Sequence, residues 1–229
     1  LYRPTRMVDL KALLLPILMI FAPVVGYIPQ YMDIQKSGNP RGFSTLVCFI
    51  LLVSNVVRIF YWFGERFETF LLLQSVVMII AQVVLLSLCV NLRRKAGLCG
   101  RSNSLLDQGS FWNWPYFSTY LQFIGALCTV LAVLTLAFVR QVWFVQMIGT
   151  VALGIEATLA LPQAYANYKN QSAEGLNLIL IATWFAGDAF KTFVFISEAA
   201  PFQFIACGAF QLLIDCVVLA QLAIYRSGP

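Results

Sequence analysis

The side chains that could do chemistry in this chain sit where charge is expensive. Arg58 lies inside an apolar run, three residues after Asn55, and the same spacing recurs in a later run as Asp188 and Lys191. Glu156 is isolated in another apolar stretch, and Asp215, a weaker candidate, in the last one. Positions three apart share one face of a helix. Ionisable groups inside an apolar helix are costly, so they tend to line a pathway or to pair with each other. Asn55, Arg58, Asp188, Lys191 and Glu156 are therefore candidates for a substrate or headgroup pathway. The alternative is a structural ion pair that fixes helix register, with Asp188 meeting Arg58 or Lys191 and Asn55 bridging. Glu156 reads as an unpaired carboxyl that could carry a proton or attract a cation, or else as a neutral group bonded within the bundle. Tyr61, Trp62 and Trp184 read as packing or lipid-facing residues.

A second constellation is conformational. Pro29-Gln30 recurs as Pro162-Gln163, 133 positions later, and the match continues without a gap. Lys36 meets Lys169, Gly42 meets Gly175, Asn55 meets Asp188, Arg58 meets Lys191 and Glu65 meets Glu198. A proline within a helix removes a backbone hydrogen bond and clashes with the preceding turn. The glutamine amide can serve the freed groups, so Pro29, Gln30, Pro162 and Gln163 are candidate hinge residues; a static kink is the alternative. Internal repeats of this kind set architecture.

Other chemistry is excluded by what is missing. With no histidine, the usual general base and metal ligand are absent. The six cysteines show neither metal-ligand spacing nor a disulfide framework, and no catalytic triad or phosphate loop is found. An enzyme, a metal site and a cofactor are not expected. The net charge of +5 is small and falls in loops, which argues against nucleic acid.

The elements that must position these residues follow from composition. The chain has 229 residues, 60% hydrophobic and 11% charged, with a mean hydropathy of +0.81. Soluble domains are about a quarter charged, so this is a membrane protein. About 20 apolar residues span a bilayer as a helix. Seven segments qualify: about 12–32, 44–64, 69–91, 117–139, 142–166, 176–197 and 202–225. The expected fold is all-α, with seven transmembrane helices arranged as two three-helix repeats around a linker helix, a 3+1+3 plan. The expected parts are a first repeat over 1–92, a polar linker with the fourth helix over 93–141, and a second repeat over 142–229. One span between two three-span units makes the repeats parallel. Gln74 and Gln82 of the third helix match Gln203 and Gln211 of the seventh if four residues are dropped from the preceding loop. In the linker, Phe111, Trp112, Trp114 and Tyr116 are expected at the headgroup level. Loop lysines and arginines number five on the amino-terminal side and eight on the other, placing the carboxyl terminus and both Pro-Gln loops in the cytosol and the amino terminus in the lumen. A start at Leu1 rather than Met predicts that the native amino terminus is missing.

These residues carry a resemblance. Pro29-Gln30-Tyr31 with Asp33-Ile34, Gly42-Phe43-Ser44-Thr45, Asn55 through Arg58, Trp62-Phe63-Gly64 with Arg66-Phe67-Glu68, Glu156 with Thr158 through Gln163, and Gly187 through Thr192 make the chain similar to the PQ-loop family, solute carrier family 66. That family includes lysosomal cystine and cationic amino acid exporters and is related to the SWEET sugar carriers. The resemblance implies a seven-helix, SWEET-like 3+1+3 fold in endosomal and Golgi membranes. It also implies a link to phospholipid asymmetry and endosome-to-Golgi traffic. One departure is that the second loop lacks the tyrosine and aspartate that match Tyr31 and Asp33.

Three functions remain open at this stage. The first is an ATP-independent phospholipid scramblase, with membrane phospholipids as partners and polar groups at depth to carry a headgroup. The second is a proton-coupled exporter of a small solute such as an amino acid, with Glu156 and Asp188 as carriers of protons. The third is a membrane scaffold or trafficking adaptor working through the basic segment 93–101. A homodimer is a candidate assembly.

Overall fold

The computed structural model describes residues 10–38, 45–97, 112, 114–171 and 178–226. Among them are nine helices and no strand: α1 (Leu10–Val25), α2 (Tyr27–Ser37), α3 (Thr45–Gly64), α4 (Thr69–Lys95), α5 (Phe117–Phe138), α6 (Val142–Ala157), α7 (Leu161–Asn170), α8 (Leu178–Ser197) and α9 (Phe202–Arg226). Helices are the expected solution because every backbone polar group must be satisfied inside hydrocarbon. Five stretches of the described residues are long and apolar enough to cross a membrane: Leu14–Ser37, Thr45–Gly64, Thr69–Lys95, Phe117–Phe138 and Phe202–Tyr225. The 16-residue α6 is apolar but shorter.

The bounds of the helices repeat. Moved by 133, α3 falls on α8 end to end, and the first residue of α4 falls on that of α9. The break between α1 and α2 at Gly26 falls inside the break between α6 and α7 at 158–160. Even the helix ends agree. Gly38 and Gln171, 133 apart, both cap in the left-handed conformation, with φ of 62° and 48°.

Proline explains the breaks. The sequence places a single kinked span at 12–32 and another at 142–166, yet each is divided one turn ahead of its proline. A proline in the first turn of a helix needs no backbone donor. Pro29 is the third residue of α2, and Pro162 lies at the start of α7. At the second break, tight backbone bonds such as Leu159 to Glu156 (3.1 Å) and Leu161 to Thr158 (3.1 Å) take up the freed groups. The Thr158 hydroxyl donates to the Ile155 carbonyl at 2.7 Å.

The equal spacing also corrects the register of the third helices. The connections 65–68 and 198–201 have the same length, so no four residues are dropped. Gln74 and Gln82 then correspond to Cys207 and Asp215 rather than to Gln203 and Gln211. The glutamine spacing was a coincidence of two polar residues eight apart.

The chain divides into two compact units, residues 1–59 with 68–130, and residues 60–67 with 131–229. In the first unit α4 packs against α1 and α2. Its core joins Ile34, Cys48, Leu52, Leu85, Leu86, Cys89 and Val90 to Trp112, Trp114 and Tyr120. The two tryptophans are 3% and 1% exposed, packed inside the unit. Trp112 has a specific partner that holds it inside, donating from Nε1 to the Thr45 carbonyl at 2.7 Å. Tyr116 is exposed, and Phe111 and most of 93–114 lie outside the described residues. In the second unit α9 is the strut, packing against α6, α7 and α8. Tyr61, Phe67, Phe195 and Phe204 form an aromatic cluster there.

Candidate functional site

The second unit gathers the charges. Lys191 of α8 donates from Nζ to Oε1 of Glu156 on α6 at 3.0 Å, with both side chains largely buried. This corrects the reading of Glu156 as solitary. Its carboxylate has no ionisable equivalent in the first repeat, where Pro23 stands, but the fold supplies a cation from another helix. Asp188, one turn before Lys191, faces both that ammonium and Asp215 of α9. Asp215 is 3% exposed, and its Oδ2 has no hydrogen-bond partner among the described residues. The cluster therefore brings together three carboxyls and one ammonium, a formal charge of −2 with all ionised. The sequence ranked Asp215 low because a lone aspartate has no motif. The spacing of 133 from Gln82, another polar residue deep in an apolar helix, was the available signal.

Further polar links run along the same unit. Tyr61 donates to Oε1 of Gln203 at 3.1 Å, and the Gln203 amide in turn donates to Gln146. Toward the other end, Asn167 of α7 donates to Oε1 of Gln221 at 3.2 Å, and Gln221 donates to the Ala164 carbonyl at 3.0 Å. This amide clamp ties the proline-bearing α7 to α9. In the first unit the equivalents of Asn167 and Gln221 are Ile34 and Leu88, which belong to one apolar cluster. The two Pro-Gln helices are thus held by different means, one by hydrogen bonds and one by apolar contact.

The remaining candidates are placed as follows. Asn55 and Arg58 lie in the first unit, 2% and 1% exposed, and the Asn55 amide donates to the Leu51 carbonyl at 2.8 Å. Pro29 is exposed and Gln30 half-buried on α2. The side chains of Pro162 and Gln163 lie outside the described residues. Tyr61 is fully buried, as a packing residue would be, whereas Trp184 is exposed. Among the described residues no group of histidine, cysteine, aspartate or glutamate is arranged to hold a metal ion.

Comparison with known proteins agrees with this layout. The family model described as the PQ loop repeat matches twice, over residues 12–71 and 144–204. The chain is 24% identical to "Scramblase ANY1" of Saccharomyces cerevisiae over an alignment covering 91% of this chain and 69% of that protein. It is 32% identical to the "Vacuolar histidine transporter YPQ3" of the same yeast, over 33% of this chain and 25% of that one. Similarity to the "Vacuolar lysine transporter YPQ1", at 26% identity, covers 34% of this chain and 26% of the relative. These named relatives are a scramblase and transporters rather than enzymes. With five helices apolar and long enough to span a bilayer and two matched repeats that together cover more than half of the chain, this is a multi-pass membrane protein that belongs to the PQ-loop family.

Proposed function

We propose that this chain is an ATP-independent phospholipid scramblase or lipid transporter of endosomal and Golgi membranes, acting on lipid asymmetry and endosome-to-Golgi traffic. The observation that carries the reading is the similarity to a protein named a scramblase over nine-tenths of the chain. Charged and amide side chains buried well inside apolar helices in both units support it. In this reading Asn55 and Arg58 in one repeat, and Glu156, Asp188 and Lys191 in the other, meet the polar headgroup while acyl chains stay in lipid. Asp215 joins the second set. Pro29, Gln30, Pro162 and Gln163 let the ends of the broken helices α2 and α7 move.

The architecture proposed with it has seven spans. The pairs α1–α2 and α6–α7 each make one broken span, and α3, α4, α5, α8 and α9 make the rest. The repeats occupy 1–92 and 142–229, with the linker and fourth span over 93–141. The carboxyl terminus is cytosolic and the amino terminus luminal.

The test is reconstitution in liposomes with fluorescent phospholipid and a membrane-impermeant quencher. Loss of protection beyond that of protein-free vesicles, without ATP, is expected. Loss no greater than in empty vesicles would reject the proposal. A second reading, a proton-coupled exporter of a small solute, is favoured by one observation. A group of three carboxyls around a single ammonium can exchange a bound proton for a cationic group. Uptake of amino acid driven by an imposed pH gradient, and lost in Asp188→Asn, would support it.

A further inference from the structure

We infer that Gln82 completes, with Asn55 and Arg58, a buried receptor in the first unit for a group bearing an oxyanion with an N–H or O–H donor a few bonds away. That is the chemistry of an aminophospholipid headgroup or of a free amino acid. The inference rests on the transport reading above, in which Asn55 and Arg58 meet substrate.

Gln82 of α4 is fully buried, and neither Nε2 nor Oε1 has a hydrogen-bond partner among the described residues. Buried polar groups in folded proteins are almost always bonded, and an amide orphaned at both ends calls for an explanation. Two independent lines bring Gln82 level with Asn55. First, α3 and α4 run antiparallel in a register set by their contacts. Arg93 donates to Thr45 at 3.2 Å, and Cys48, Leu52, Leu85 and Cys89 share one core cluster. Continuing that register sets Asn55 opposite Gln82. Arg58 is three residues beyond Asn55, about 4.5 Å along the axis at 1.5 Å per residue. Second, the 133-residue repeat maps Asn55, Arg58 and Gln82 onto Asp188, Lys191 and Asp215. In the second unit Asp188 does face both Lys191 and Asp215. The same helical positions therefore form one layer in each repeat, as two amides and a guanidinium in the first and as two carboxyls and an ammonium in the second.

The two layers have opposite polarity, and the first suits an anion. A guanidinium matches the planar fork of a phosphate or carboxylate. Nε2 of Gln82 is a second donor to the same group. Oε1 of Gln82 must accept, and a bare oxyanion cannot supply a proton. One N–H of the Asn55 amide goes to the Leu51 carbonyl, and neither its second N–H nor Arg58 donates to Oε1 of Gln82, which has no partner among the described residues. The ligand must therefore carry a donor beside its oxyanion. Ethanolamine and serine headgroups and free amino acids have one, and a choline headgroup does not.

The full chain in nanodiscs containing equal phosphatidylethanolamine, phosphatidylserine and phosphatidylcholine would be released and its retained lipids counted by native mass spectrometry. The two amine-bearing lipids should be retained about tenfold over phosphatidylcholine, as expected for a lost donor–acceptor pair. Gln82→Leu, which keeps side-chain bulk, should abolish the preference yet melt no lower than the parent, because it removes an orphaned amide. Gln82→Glu should lose it as well by placing a carboxylate beside the oxyanion, which keeps the test open if the leucine variant misfolds. Free serine or alanine, added separately, should raise the melting temperature of the parent but not of Gln82→Leu if the source is a solute. That result with no lipid preference keeps the receptor and defeats the lipid reading. Equal retention of all three lipids with no amino acid effect, or a preference that survives both substitutions, overturns the inference. Headgroup-blind lipid transfer, and with it the proposed function, would still stand.

Discussion

Removing the ammonium of Lys191 should destabilise the protein far more than removing the carboxylate it touches. The pair is short, at 3.0 Å, and the two side chains are only 16% and 12% exposed. Lys191→Met leaves Glu156, Asp188 and Asp215 together with no ammonium in their cluster, taking its formal charge from −2 to −3. Breaking a buried pair in this way costs about 3–5 kcal/mol. Glu156→Gln moves the charge the other way, to −1. It keeps an oxygen for the lysine to bond and leaves Asp188 as a counter-charge, so the cost should be about 1 kcal/mol. In the double variant no uncompensated charge is added. Lys191→Met should then cost about 2 kcal/mol less on the Glu156→Gln background than on the parent, the size of coupling seen between directly contacting residues. Denaturant titration in mixed micelles, followed by tryptophan fluorescence, reads all three. Equal costs for the two single variants, or a double variant equal to their sum, would show that the cluster is not electrostatically coupled.

Two other perturbations probe the second unit. A methyl group at Gly149 would lie 2.6 Å from Cζ of Tyr61, a ring tethered through its hydroxyl to Gln203. Gly149→Ala should therefore cost about 1–3 kcal/mol in the same titration, and Tyr61→Leu should recover part of it; a neutral Gly149→Ala would mean the ring is free to move. Asn167→Ile strips the partner from Oε1 of Gln221 and should cost about 1–2 kcal/mol. Adding Gln221→Leu, which recreates the apolar pairing of Ile34 with Leu88 in the first repeat, should restore most of that. A double variant less stable than the single one would refute the equivalence of the two clamps.

Much of the architecture was legible in the residues themselves. The 133-residue spacing, the apolar lengths and the pairing of Asn55 and Arg58 with Asp188 and Lys191 are local patterns, and helix bounds and caps follow them. Covalent geometry acts at short range, so Pro29 and Pro162 weaken the helix locally, although Pro16 and Pro23 are carried within α1 without a break. What they leave open is where the chain divides: one turn earlier, at Gly26 and at 158–160, since the restarted helix then takes the proline into its first turn.

Contacts between helices could not be read the same way, because they depend on which faces meet. The ion pair of Glu156 with Lys191 joins residues 35 apart, on helices whose facing sides no periodicity specifies. That Trp112 donates its N–H to the Thr45 carbonyl, 67 residues away, was likewise not written in the sequence. The sequence by itself determined a duplicated, helical membrane protein with charge at depth, because hydropathy and proline act along the chain. Only the tertiary structure decided which charges meet, that Asp215 joins them, and that Gln82 lies buried without a hydrogen-bond partner among the described residues, because burial and pairing are properties of packed neighbours.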